Sequence, residues 1–157
     1  MAKNTFDELV GHKILSMWIN DTDEDLWFEV DIIGGRGSEY LHYRTEGDCC
    51  NRVWFCYFNF INFVFNRRVM RTYDFAWEDV AKDDYLGGDD DEEKVMFEIK
   101  VVGGVLHIEV RNSNNGYYGG DVRFIGVQSL RPNSVVRLTE QGRERILPDP
   151  PEENFDV

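Results

Sequence analysis

Cys49 and Cys50 stand beside Asp48, and further along Tyr117 and Tyr118 follow Asn114 and Asn115 in a glycine-rich stretch. A thiolate beside a base is a nucleophile, and a helix start lowers a thiol's pKa. Paired tyrosines beside glycines can offer ring faces and hydroxyls to a ligand. Neither set completes a reaction centre. His42 and His107 fall at equivalent places in two similar strands and read as rim residues rather than as bases for a thiol, while His12 falls in a loop. The three cysteines, Cys49, Cys50 and Cys56, have no CxxC spacing. The plainest reading makes the paired thiols inert fillers of a tight turn and puts one tyrosine ring inward and one outward. No catalytic residue is assigned, and no enzyme is expected. A binding role is the stronger alternative for this set: Asp48, Cys49, Cys50, Arg111, Asn114, Asn115, Tyr117, Tyr118 and Arg123 would form a small-ligand site. There the rings would stack on a base and Arg123 would meet a phosphate.

The carboxylates form the second chemical population. Asp21, Asp23 and Asp25 have the spacing that opens a calcium loop, but Leu26 stands where the turn needs glycine and Ile32 where it needs glutamate. Asp89, Asp91 and Glu93 fail in the same way at Lys94 and Lys100. No metal and no cofactor are expected. The chain's net charge is −13, and the 74–93 stretch holds ten carboxylates against Lys82 alone. Between Arg123 and Arg145, by contrast, five arginines meet two glutamates. A field this negative disfavours nucleic acid and anionic membranes and favours a basic partner. The competing reading is a solvated loop that keeps an aromatic-rich protein soluble. If the stretch is a binding surface, Asp83, Asp84, Asp89, Asp90, Asp91, Glu92 and Glu93 supply the charge, with Trp77 and Tyr85 as buried anchors.

The elements that would position these residues are legible as an echo. Leu26 to Gly35 aligns without a gap to Val95 to Gly104, and Leu41-His42 answers Leu106-His107. Each copy alternates apolar and polar residues, the two-residue period of a half-buried strand, and ends in a Gly-Gly turn. Lys13 to Trp18 and Arg68 to Tyr73 read as preceding strands, and residues 39–46 and 105–111 as following ones. Between the halves lies the aromatic stretch 51–66, where Asn59, Asn62 and Asn66 fall on one helical stripe. This predicts a short buried helix with Asp48 or Asn51 as its cap. Residues 122–127 and 134–138 read as further strands. The expected fold is therefore α+β but β-dominated. Two pseudo-repeated three-stranded antiparallel meanders, about 9–50 and 63–120, would pack as a sandwich or partly open barrel around that helix. One domain is expected over 1–147, followed by a disordered acidic tail at 148–157.

The Gly-Asp-Cys-Cys run at 47–50 and the Asn-Gly-Tyr-Tyr-Gly-Gly run at 115–120 together resemble an uncharacterised family of small, mostly phage-encoded proteins. The similarity runs from about Phe6 to Gln128. The resemblance implies a viral origin and carries no established activity. The long acidic connector and the Arg- and Pro-rich end depart from it. The first expectation is thus a phage-encoded acidic protein that binds, and modulates or inhibits, a host protein with a basic surface, such as a nucleic-acid-binding defence or transcription factor. The alternative is the small-ligand binder, for instance of nucleotides or signal molecules. A virion component also stays open. The opening residues have no apolar signal core, and no apolar run approaches membrane-spanning length, so the host cytoplasm is the expected location.

Overall fold

The computed structural model describes residues 4–47, 51–88, 90–114, 119–140 and, by backbone alone, 142–145. Strands dominate. They are β1 (Lys13–Asn20), β2 (Asp25–Asp31), β3 (Ser38–Glu46), β4 (Arg52–Ile61), β5 (Arg67–Asp74), β6 (Glu78–Asp79), β7 (Asp91–Val101), β8 (Gly104–Asn114), β9 (Asp121–Gln128), β10 (Val135–Thr139) and β11 (Gly142–Arg145). Helical structure among the described residues is limited to single 3₁₀ turns at Asp7–Leu9 and Lys82–Asp84. No helix among them is long and apolar enough to cross a membrane. The proposed tail at 148–157 lies outside the described residues.

All pairings are antiparallel, in the order β4-β8-β7-β5-β1-β2-β3-β9. β6 lies beside β7, and β10 and β11 extend from β1. In place of two separate meanders, one open sheet runs through β1, which forks. Lys13 and Ile14 pair with β5, while residues from Met17 to Asn20 pair with β10. The inward residues of both halves form one cluster, which takes in Phe28 and Val30 of β2 and Phe97 and Ile99 of β7. Phe6 closes it from the N-terminal side, with its ring edge-on to Phe28 and to Phe97. The Gly-Gly turns follow one conformational logic: Gly34 (φ 76) and Gly103 (φ 79) both hold the left-handed backbone that favours glycine.

The expected helix at 51–66 is instead strand β4. Val53 and Phe55 enter the core; a bulge at Cys56 shifts the register, and Phe58 and Phe60 pack inward after it. The bulge breaks the simple alternation that would have shown a strand. Asn62 (φ 63) and Asn66 (φ 65) sit in left-handed turn positions beyond the strand, which asparagine tolerates. Their helix-like spacing comes from turn chemistry. Asn51 caps no helix: its Nδ2 donates to Asn112 Oδ1 at 2.8 Å and to the Gly119 carbonyl at 3.1 Å.

Candidate functional site

The acidic connector is built onto the outward face of β7 and β8. β6 pairs Glu78 with Lys94 and Asp79 with Glu93, and the buried Val80 donates its N–H to the Glu92 carbonyl at 3.0 Å. The connector then crosses Arg111, which is 7 % exposed. Arg111 Nη1 donates to Glu92 Oε1 at 2.9 Å and to the Asp84 carbonyl at 3.1 Å, and its Nε donates to Glu109 Oε2 at 2.8 Å. Burial works against the guanidinium's charge, but the bonds to Glu109 and Glu92 outweigh it and hold its pKa above the ordinary value. Glu92, only 2 % exposed, accepts the Leu86 N–H at 2.8 Å and also the Gly87 N–H. One carboxylate thus ties down a loop through two backbone donors while a buried arginine neutralises it.

This changes the role of one residue in the acidic surface. Glu92 belongs to the frame, not to the exposed charge. Glu93 is half-buried and accepts from Asn112 Nδ2 at 2.9 Å. Asp83, Asp84, Asp90 and Asp91 are exposed, together with Glu78 and Asp79. Asp89 lies outside the described residues. Tyr85 is half-buried, with its hydroxyl 3.4 Å from Asp91 Oδ1. By sequence Glu92 falls in the acidic surface and Arg111 in the small-ligand set, and their pairing is not apparent from either. The signal was in the hairpin register. Val101 opposite Gly104 places Lys94 opposite Arg111, which leaves Glu92 on the diagonal of the same face.

Two adjoining hollows open beside this frame. The first, about 590 Å³, is lined by Glu78, Asp79, Asp83, Asp84 and Tyr85, with Lys94 and Arg111 also on its wall. Both of those cations are engaged, Lys94 lying 3.6 Å from Glu78 and Arg111 paired as above. The second, about 400 Å³, shares Glu78 and Lys94 and adds Phe75, Ala76, Trp77 and Met96. Trp77 is half-buried against the core, whereas Phe75 and Met96 are exposed. A carboxylate-rimmed hollow therefore runs into an apolar one.

The other candidate set is only partly in view. Asp48, Cys49, Cys50, Asn115, Tyr117 and Tyr118 lie outside the described residues. The flanks of the two motifs do converge. Glu46, Gly47, Gly119, Gly120 and Asp121 line a hollow of about 300 Å³, and Asn51 donates to the Gly119 carbonyl on its wall. Asn51 Oδ1 is buried and meets no donor among the described residues. Arg123 lies 2.9 Å from Glu46 and is neutralised there, and Asn114 is buried in β8. Arg111 is on the connector's side and does not join this group.

The remaining chemistry is structural. His42 is buried, not on a rim: its Nε2 lies 2.7 Å from Asp25 Oδ1, and its ring stacks on Trp27 at 4.5 Å. His107 lies 3.4 Å from Glu98. Burial, with Glu109 nearby, pushes the Cys56 thiol up to about 11, the opposite of an activated nucleophile. Among the described residues no group of three or more His, Cys, Asp or Glu side chains is arranged to hold a metal ion. Comparisons with known protein families, curated proteins and solved structures gave no match.

Proposed function

We propose that this protein is an acidic interaction protein that captures a basic segment of another protein on the face built by residues 75–94. The observation that carries this reading is the anchoring of the connector by the buried Glu92–Arg111 pair. A loop that merely solubilises needs no internal ion pair, and burying such a pair costs several kcal/mol of desolvation per ion. Here that cost holds Asp79, Asp83 and Asp84 around one hollow despite their mutual repulsion. A lysine or arginine of the partner would enter the carboxylate hollow. A large apolar side chain beside it would fill the space between Trp77 and Met96, giving a desolvated centre with a charged rim. The resemblance to small phage-encoded proteins makes a host protein the natural partner, with modulation or inhibition as the outcome. Phosphate-bearing partners are disfavoured by the same carboxylates.

The test is fluorescence anisotropy with labelled basic peptides that carry one tryptophan or leucine. Combined Asp79→Asn, Asp83→Asn and Asp84→Asn substitutions should weaken binding about tenfold, since exposed charge pairs contribute roughly 0.2–1 kcal/mol each. Equal affinity for the substituted and native proteins would refute the reading.

A second reading, a small-ligand binder, is favoured by the convergence of Gly47 with Gly119 and Gly120 on one hollow. With Glu46 and Asp121 on its wall and Arg123 already paired, a neutral or cationic ligand fits better than a phosphate. A thermal-shift series comparing nucleosides with nucleotides tests it; stabilisation by neither class removes it.

A further inference from the structure

We propose that the outer edge of β4 pairs with the same edge of a second copy of this chain, in an antiparallel two-fold arrangement centred on Asn59. β4 pairs with β8 on one side, and among the described residues no strand pairs with it on the other. Only its start is tied elsewhere, where Phe55 N–H donates to the Asp23 carbonyl at 2.8 Å and Thr45 Oγ1 to the Val53 carbonyl at 2.7 Å. Beyond that point the edge lacks the usual guards. From Val53 to Asn66 there is no charged residue and no proline, and Tyr57, Ile61 and Phe63 are exposed.

Charge points to a second copy as the occupant. Two molecules of net charge −13 repel over most of their surface. β4 itself holds one arginine, Arg52, and no carboxylate, so this edge strand is a place where two copies can approach. The strand is also self-complementary. With the axis at Asn59, Tyr57 of each copy faces Ile61 of the other on the outer side. Phe58 faces Phe60 on the inner side, where both rings are only partly buried in the single chain. The two Asn59 side chains meet at the axis and can exchange amide hydrogen bonds. An axis at Phe58 would set Tyr57 against Asn59 and lose both matches. The pairing extends the sheet across the axis as a closed, isologous dimer and does not depend on the acidic face. A contact confined to one edge strand belongs with the small interfaces, below the standard size of roughly 1,600 Å², so the expected dimer is reversible and concentration-dependent.

Sedimentation velocity of the full chain over a concentration series tests the proposal, with melting temperature and circular dichroism as folding controls. The native chain should shift from monomer to dimer. Tyr57→Lys and Ile61→Lys should stay monomeric while folded, and Asp83→Asn with Asp84→Asn should still dimerise. Register is read separately, with Cys49, Cys50 and Cys56 replaced by alanine. Asn59→Cys should then cross-link to itself through a short bismaleimide. Tyr57→Cys should do so only when combined with Ile61→Cys. A native chain that is monomeric throughout, a dimer that survives both lysines, or a dimer lost with the aspartates would each overturn the proposal.

Discussion

Arg111 and Glu92 are each costly to bury, and together they hold a loop in place. Removing one side exposes how much depends on the pair. Arg111→Met leaves Glu92 buried without its counter-ion and should lower stability by about 3–5 kcal/mol, read from urea unfolding. It should also release the backbone from Val80 to Gly88, seen as faster amide exchange there. Adding Glu92→Gln to Arg111→Met should recover part of the stability but not the protection of Leu86 and Gly87, whose N–H groups bond that carboxylate. Little of this was legible residue by residue. A glutamate inside a carboxylate run looks exposed by composition, and only its strand parity with Met96 and the register to Arg111 mark it as an anchor.

At the scale of elements, alternation and glycine punctuation made the strands around the echo readable, and β2, β3, β7 and β8 lie where those patterns predict. β4 does not show as a strand in the sequence because its bulge interrupts alternation at Cys56 and because Asn62 and Asn66 imitate a helical stripe from turn positions. The two Gly-Gly turns also differ in what surrounds them. A methyl group at Gly104 would fall on the Phe63 carbonyl oxygen, with the Ile61 carbonyl 3.1 Å away, whereas one at Gly35 would meet only atoms of Ile32. Gly104→Ala must therefore move backbone that links β4 to β5. It should destabilise by about 1–3 kcal/mol, the usual cost of overpacking. Gly35→Ala, which meets chiefly a side chain able to rotate, should cost clearly less in the same thermal melts.

For the molecule as a whole, charge separates the two proposed associations. Partner binding at the carboxylate face joins opposite charges and should weaken as salt rises from about 50 to 300 mM, because screening acts within roughly a Debye length of 10 Å. Self-pairing through β4 brings together two acidic molecules and should strengthen over the same range. Opposite slopes in one titration series would separate the two surfaces without any substitution. The net charge could be read directly from composition, but its division between an anchored acidic face and an edge strand with no carboxylate of its own required the strand order. That order also constrains the sequence of assembly. β1, β2 and β3 can pair as soon as they are synthesised, yet the outer edge of β3 waits for β9, and the far end of β1 waits for β10. Tyr40 meets Gln128 and Met17 meets Leu138 only when nearly the whole chain has left the ribosome. Such long loop closures slow folding. Until they form, the nascent chain carries open sheet edges at both ends of its first meander, and its yield in the cell depends on how quickly the last strands arrive.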